Sequence, residues 1–173
     1  MVVGSLVAAL IAVTAFVSVP VGVVPVTMQV MAVVLAALVL SPSGAFAATS
    51  VYLLLGAIGL PVFAGGRAGL AVLLGPTGGF LIGFVVGATL GAWVRRILTA
   101  SFSALVADIA GAATVIVVVY VFGWLQLTVV TGMGIVEAAA VGVAPFLVWD
   151  VLKAAAAIGF AASIRKTGGL PSL

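Results

Sequence analysis

Two ionisable residues stand in an otherwise apolar stretch near the end of the sequence, PFLVWDVLKAAAA. Asp150 and Lys153 are three positions apart, so a helix places both on one face. Ionisable side chains inside a membrane span are costly, usually face the bundle interior, and mark sites or paths for substrates and ions. The pair therefore predicts the polar end wall of a pocket, with a carboxylate acceptor beside an ammonium donor. The alternative interpretation is that the two charges only neutralise each other.

Apart from Arg67, which could contact an anionic substrate or lipid headgroups, the remaining charged residues have structural interpretations. The chain has six Lys or Arg and three Asp or Glu residues in total. Arg95-Arg96 and Arg165-Lys166 each follow a long apolar stretch, which is typical of cytoplasmic topology anchors. Glu137 lies in the first turn of a short predicted helix, where the helix dipole favours a carboxylate. Asp108 lies near the cytoplasmic end of its span, where we expect it to snorkel or to meet an arginine of the fourth helix.

Several classes of chemistry are absent from the sequence. It contains no cysteine and no histidine, so disulfides, thiolate or imidazole metal ligands and the usual general base are excluded. The serines show no serine–lysine signature, and no GxxxxGK[ST] motif occurs. The six cations are dispersed and form no nucleic-acid-binding patch. We therefore predict no catalytic residue, no metal and no cofactor, and any nucleotide hydrolysis would belong to another subunit.

The composition indicates whether water or lipid surrounds the chain. Hydrophobic residues make up 66% and charged residues 5% of the 173 residues, too little polar surface to cover a soluble domain. Apolar runs such as residues 115–122, VIVVVYVF, do not alternate as the strands of a membrane β-barrel would. The 22 glycines suit helices that pack closely in lipid. The sequence predicts an all-α membrane protein, with room for roughly five or six spans and no second domain.

The positions of proline, glycine and polar residues divide this single predicted domain, residues 1–173, into six transmembrane helices. They are expected at about 2–18, 27–40, 45–58, 80–96, 102–122 and 145–164, with a loop from Trp124 to Gly132. The first segment lacks a basic region and is interpreted as a helix, not a cleaved signal peptide. Residues 59–79 are rich in glycine and proline yet partly apolar, which indicates a binding loop folded over the bundle. A merely exposed loop is the alternative.

The basic residues also predict the orientation of the bundle. Arg95-Arg96 and Arg165-Lys166 follow the fourth and sixth helices, so these ends should face the cytoplasm. With six spans, both termini are then cytoplasmic. The loops after the first, third and fifth helices lie on the outer face, where a substrate from outside would meet them first.

Three stretches of the chain, taken together, resemble the BioY family, the biotin-capturing S subunits of energy-coupling factor transporters. They are residues 19–29 (VPVGVVPVTMQ), 52–84 (YLLLGAIGLPVFAGGRAGLAVLLGPTGGFLIGF) and 142–157 (GVAPFLVWDVLKAAAA). The resemblance covers nearly the whole chain and is weakest in the fifth helix. It implies a non-catalytic subunit of a prokaryotic cytoplasmic membrane that binds biotin near the outer face. It also implies a membrane-embedded T subunit and two ATP-binding subunits as partners, with delivery by that complex or, at low efficiency, alone.

The resemblance also implies site residues. Those expected to bind biotin are Asp150, Lys153, Arg67, Gly65, Gly66, Gly78, Gly79 and Phe80, with Val23, Val26, Phe63 and Leu70 as further wall residues. Asp150 would accept from the ureido N–H groups, and Lys153 would donate either to the ureido oxygen or to the carboxylate. Ala8 and Ala12 match a small-residue pattern that contacts the T subunit, although packing within the bundle explains such a pattern equally well.

Three residues depart from the family pattern. Trp149 replaces a small residue and would either reshape the pocket or form an interfacial aromatic. Arg67 stands where a neutral residue is expected, and Asp108 has no counterpart. The alternatives are an S subunit for another vitamin, a holin-like pore-forming bundle without a ligand, and, more remotely, an intramembrane enzyme. A pore would need neither the Asp150–Lys153 pair nor the glycine-rich loop.

Overall fold

The computed structural model describes residues 2–20 and 22–168, which form a helical bundle with one minimal β-hairpin. The elements are α1 (Val2–Phe16), β1 (Ser18–Val19), β2 (Val26–Thr27), α2 (Gln29–Val39), α3 (Pro42–Ala57), a 3-10 turn (Ala64–Gly66), α4 (Leu70–Leu74), α5 (Gly78–Leu98), α6 (Ala104–Thr131), α7 (Ile135–Gly142) and α8 (Ala144–Lys166). The strands β1 and β2 pair antiparallel. The predicted helices correspond to α1, α2, α3, α5, α6 and α8.

The helices differ in length in a way that matters for a membrane. Among the described residues, α5, α6 and α8 are long and apolar enough to span a bilayer, whereas α1, α2 and α3 are shorter apolar helices. The 11 residues of α2 rise about 16 Å, roughly half of the ~30 Å hydrocarbon thickness. The prediction of a mainly helical protein with apolar spans is confirmed at this level.

Helix α2 forms the centre of the bundle. Nine of its 11 residues are buried, because it packs against α1, α3, α5, α6 and α8. A helix that is apolar on all sides is stable only when neighbours surround it. The buried position of α2 brings its first residue, Gln29, to the wall of a cavity described below.

Helices α5 and α6 form a closely packed antiparallel pair. A Cβ atom on Gly91 would lie 2.7 Å from the carbonyl oxygen of Gly111, closer than real Cβ contacts. Further along the pair, a Cβ on Gly123 would lie 2.3 Å from the ring of Phe80. Glycine at these positions lets the two backbones approach, as is common between helices in lipid.

At one end of the bundle, the buried carboxylate of Asp108 connects α6 to α5 and α8 by binding an arginine of each. We call these three residues, Arg95, Asp108 and Arg165, the Asp108 junction. Asp108 is 1% exposed and accepts from Arg95 Nε at 2.8 Å and from Arg165 Nη2. The expected contact with an arginine of the fourth predicted helix is confirmed. Arg95 also has a role inside the bundle, since its side chain is buried and paired with Asp108.

Helix α6 is longer than the fifth predicted helix. Instead of ending at 122, α6 continues to Thr131, so the predicted loop from Trp124 onward is wrong. The threonines of this segment are compatible with a helix because their hydroxyls donate to carbonyls one turn earlier; for example, Thr128 donates to Trp124. Helix α6 ends at Gly132, whose φ of 71° supplies the left-handed cap that terminates many helices.

The other boundaries shift by a few residues. Helix α3 begins at Pro42 instead of 45, because Ser41 Oγ accepts from Gly44 N–H and proline suits the first helical position. Helix α2 begins at Gln29, since Thr27 pairs in β2. The first helix ends at Phe16 instead of 18, where the chain enters β1. The segment between α3 and α5, residues 58–77, is the third loop. It is more structured than expected, since it contains α4.

A candidate ligand pocket at one end of the bundle

A cavity opens at the end of the bundle opposite the Asp108 junction. It encloses about 620 Å³ including the open space at its mouth. Its lining comes from β2 and the start of α2, the third loop, the start of α5, the second half of α6 and the first turns of α8. The cavity is therefore assembled from segments that are far apart in sequence.

The inner polar wall of the cavity is centred on the carboxylate of Asp150, which accepts hydrogen bonds from two side chains. Asp150 is 4% exposed and Lys153 is 8% exposed, and Lys153 Nζ donates to Asp150 Oδ1 at 2.8 Å. Tyr120 of α6 donates its hydroxyl to Asp150 Oδ2 at 2.7 Å. The two residues expected to share a face of the last helix do so, and both line the cavity. Tyr120 was missed, because a tyrosine in an apolar run gives no sign of its partner on another helix.

A second polar group lies in the lining where α2 begins. Gln29 is 2% exposed and donates Nε2 to the hydroxyl of Tyr52 at 2.6 Å, while Thr27 Oγ1 lies 3.3 Å from Gln29 Oε1. Gln29 belongs to the stretch 19–29 that resembles the BioY family, but no contact is predicted for it from the sequence. Its distance from Asp150 in sequence hid the fact that both face one cavity.

Arg67 supplies a positive charge to the third-loop side of the cavity. Its side chain is exposed, and its Nε donates to the carbonyl of Ala64 at 3.1 Å. A backbone hydrogen bond from Phe63 N–H to the carbonyl of Arg67, at 3.0 Å, closes the same turn. Within the described ranges Arg67 forms no ion pair, whereas Lys153 is balanced by Asp150. The lining thus carries one uncompensated positive charge.

The four glycines expected to touch a ligand are not among the lining residues. Gly65 and Gly66 have φ of 69° and 72° and shape the turn before Arg67. A Cβ on Gly78 would lie 1.8 Å from the carbonyl oxygen of Leu73, and one on Gly79 would lie 2.2 Å from that of Phe122. Their geometry supports a packing role, because they allow α5 to approach the third loop and α6.

The apolar wall includes some of the expected residues. Val26, Phe63 and Phe80 line the cavity. Val23 and Leu70 do not, and they are 40% and 63% exposed respectively. The ring of Phe63 is fixed from behind by an edge-to-face contact with Tyr52, with 5.7 Å between the centroids.

Three further sequence candidates lie away from the cavity. Trp149 is 58% exposed, so it points out of the bundle and does not reshape the pocket. Ala8 is 5% exposed and belongs to the core, and Ala12 is partly buried against that core. The side chain of Ala8 is therefore not available to a partner subunit in this conformation.

The arrangement suits a ligand with a polar head, an apolar body and an anionic tail. The carboxylate of Asp150 can accept N–H donors, while Lys153 can donate to a carbonyl oxygen beside them. Phe63, Phe80 and neighbouring aliphatic side chains can bury apolar surface. Within the described residues, no group of three or more Asp, Glu, His or Cys side chains assembles into a possible metal site.

Comparison with known proteins places this chain among membrane transport proteins. The sequence model of the BioY family matches residues 1–169. The biotin transporter BioY2 of Lactococcus lactis is 43% identical over 148 residues, which is 85% of this chain and 79% of that protein. The probable biotin transporter BioY of Pyrococcus horikoshii is 42% identical over 160 residues, covering 89% of this chain and 90% of that protein.

A solved structure has the same fold. It is a 2.1 Å crystal structure of the S-component for biotin from an ECF-type ABC transporter. The two structures superpose with a TM-score of 0.88 at 24% sequence identity, covering 95% of this chain and 89% of that one. At this level of identity the superposition establishes the fold.

Proposed function

This chain belongs to the BioY family, and from that premise we propose that it is the subunit that captures biotin for transport across the membrane. It is a transport protein and not an enzyme. The observation that carries the proposal is the buried, hydrogen-bonded Asp150–Lys153 pair in the wall of a cavity that opens at one end of the bundle. Charged groups are retained at such a depth where they recognise a substrate.

The polar head of biotin fits the inner wall. A ureido ring carries N–H donors on either side of a carbonyl, so an acceptor and a donor that are neighbours match it. Asp150 and Lys153 are such neighbours, with 2.8 Å between Oδ1 and Nζ. In this arrangement Asp150 accepts from a ureido N–H group and Lys153 donates to the ureido oxygen. Each charge-assisted bond contributes about 1.5–3 kcal/mol.

The carboxylate of biotin is directed to the other side of the cavity. Lys153 is already neutralised by Asp150, so a second anion gains little there. Arg67 is the lining charge without an opposite partner among the described residues. The valerate chain then runs along the apolar wall of Phe63 and Phe80, and its carboxylate meets Arg67 near the mouth.

The proposed membrane arrangement follows from the lengths of the helices and from the basic residues at one end of the bundle. We place six crossings in the bilayer, with α5, α6 and α8 as full spans and the shorter α1, α2 and α3 completed by their connecting segments. Arg96 and Lys166 lie at the same end of the bundle as the Asp108 junction, and we assign this end to the cytoplasm. The cavity then opens outward, and the N-terminus is cytoplasmic. The C-terminal residues 169–173, expected on the same side, lie outside the described residues.

The partners in this proposal are a membrane-embedded T subunit and two ATP-binding subunits. The chain has no nucleotide-binding motif of its own. Energy for release of a tightly held ligand must therefore come from another subunit. A prokaryotic cytoplasmic membrane is the location consistent with these partners.

Titration calorimetry of the detergent-purified protein with biotin tests the proposal. We expect saturable binding at or below micromolar biotin, and a folded protein that does not bind would refute the assignment. Asp150→Asn and Lys153→Met should each weaken binding about tenfold or more. Glu137→Gln and Lys166→Met are matched controls, because they remove the same charges at exposed positions outside the cavity. Binding of a different vitamin in place of biotin would favour an S subunit of other specificity.

A further inference from the structure

We propose that Tyr120 is a positioning residue that holds the Asp150 carboxylate in the orientation that recognises ligand N–H donors. This inference rests on the proposed function and goes beyond it, because it assigns a selectivity role to a residue of α6. The observation behind it is a buried hydrogen bond between two helices, from Tyr120 Oη to Asp150 Oδ2 at 2.7 Å.

The two donors to Asp150 come from different places in the fold. Lys153 is on the same helix, α8, one turn further on, so it moves together with Asp150. Tyr120 is on α6, which forms a closely packed pair with α5. The bond from Tyr120 therefore holds the carboxylate relative to the rest of the cavity wall, which the bond from Lys153 cannot do.

Because Tyr120 is buried, its hydroxyl depends on the hydrogen bond to Asp150. Tyr120 is 9% exposed and Asp150 is 4% exposed. A buried phenol hydroxyl needs a hydrogen-bond partner, since leaving it without one carries the cost of desolvation. The Tyr120 hydroxyl makes its hydrogen bond to Asp150, at 2.7 Å from Oδ2. The carboxylate of Asp150 is the acceptor that satisfies this hydroxyl.

The geometry leaves room for the ligand on the same carboxylate. An ionised carboxylate has about four acceptor positions. Lys153 uses one on Oδ1 and Tyr120 uses one on Oδ2, so each oxygen keeps one position for a ligand N–H. Tyr120 thus orients the acceptor without competing with the ligand. Without the hydroxyl, the carboxylate can rotate about its Cβ–Cγ bond and lose alignment with the ureido group.

A double-mutant cycle tests whether Tyr120 acts through Asp150. Tyr120→Phe keeps the ring, and we expect it to weaken biotin binding roughly 10- to 100-fold. In the Asp150→Asn background the same change should have little further effect. Thr114→Val is the matched control: it removes a hydroxyl from α6 that bonds only to the carbonyl of Ala110 in its own helix. This control should bind as the parent does.

Three results of the cycle would overturn the proposal. If Tyr120→Phe binds biotin as tightly as the parent protein, its hydroxyl positions nothing. If Tyr120→Phe lowers the biotin affinity of the Asp150→Asn variant by the same factor as that of the parent, the hydroxyl contacts the ligand directly. If Thr114→Val lowers the affinity as much as Tyr120→Phe does, the effect is a general response of the bundle. If the parent itself does not bind biotin, the proposed function fails instead.

An infrared measurement decides the matter even where Asp150→Asn abolishes binding. The chain contains two aspartates, Asp108 and Asp150, so carboxyl-¹³C-aspartate labelling produces two carboxylate signals that Asp150→Asn assigns. Tyr120→Phe should shift the Asp150 stretching band without ligand and leave the Asp108 band in place. An unchanged Asp150 band would show that the hydroxyl does not hold this carboxylate. A shift of both bands would indicate a structural effect.

Discussion

Replacement of Asp108 by asparagine removes the carboxylate that Arg95 and Arg165 share at the end of the bundle opposite the cavity. The side chain keeps its shape and loses its charge, so two guanidinium groups remain beside each other. Arg95 is the more affected of the two, because its side chain is 9% exposed whereas that of Arg165 is 27% exposed. Arg165 can turn outward to water or lipid headgroups, and Arg95 cannot without local opening.

The expected loss of stability follows from this difference in burial. Removing one partner of a buried ion pair costs about 3–5 kcal/mol. The asparagine oxygen can still accept one bond and Arg165 can relax, so we expect the lower end, about 3 kcal/mol. For a chain of this size, 1 kcal/mol corresponds to about 2–4 °C. The apparent melting temperature should therefore fall by roughly 6–12 °C.

Tryptophan fluorescence during a thermal ramp of the detergent-purified protein measures this shift, since the chain has three tryptophans. Arg96→Gln is the control, because it changes one charge at an exposed position next to Arg95. We expect the control to melt within about 1–2 °C of the parent. Changing Arg95 and Asp108 to leucine together should be less damaging than changing Asp108 to leucine alone, since the buried charge of Arg95 is then removed along with its partner and Arg165 can still turn outward.

Biotin affinity separates this structural role from a role in the site. Asp108 and Tyr120 are 12 residues apart on α6, or about 18 Å along the helix axis. Asp108→Asn should therefore bind biotin as the parent does well below its melting temperature. The reasoning is refuted if Asp108→Asn melts like Arg96→Gln, or if it loses affinity while its stability is unchanged.

Three further predictions concern packing, the third loop and the pocket mouth. Gly91→Ala should destabilise the bundle by about 1–3 kcal/mol, because its Cβ would lie 2.7 Å from the Gly111 carbonyl; Gly159→Ala, in open space on α8, should not, and equal melting temperatures would contradict the close approach. Gln126→Leu removes the hydrogen bonds from Nε2 to the Leu73 and Gly75 carbonyls, at 2.7 and 2.8 Å, so amide hydrogen exchange should increase in the third loop. Unchanged protection of these amides would show that Gln126 does not tether the third loop. Arg67→Gln should weaken biotin binding several-fold in calorimetry but leave the uncharged biotin amide unaffected; an equal loss for both ligands would place the carboxylate elsewhere.

Local patterns explain why part of this protein could be predicted from its sequence. Helix periodicity alone places Asp150 and Lys153 on one face, since positions three apart meet on any helix. The composition likewise requires lipid around the chain, because its apolar surface is too large to be covered by its few polar residues. Neither conclusion depends on how the helices are arranged. Both are therefore available before any tertiary structure is known.

The boundaries failed where polar residues suggested a loop. The segment from Trp124 to Thr131 contains a glutamine and threonines, which favour an outer loop, yet it is the end of α6. Gln126 is stable there because it donates to the third loop, a contact that the sequence does not reveal. The glycines at 78 and 79 let neighbouring backbones approach, and their predicted contact with a ligand stays a prediction.

By itself, the sequence determined that the surroundings of this protein are lipid, that it is helical, and that Asp150 pairs with Lys153. These properties depend on composition and on contacts one helical turn apart. The tertiary structure decided that Tyr120 joins this pair from α6, that Gln29 lines the same cavity, and that Asp108 is shared by two arginines. Each of these contacts joins helices whose relative rotation and register are set by close packing of the whole bundle. No local pattern specifies that register, so the partners of a buried polar group emerge only once the helices are packed.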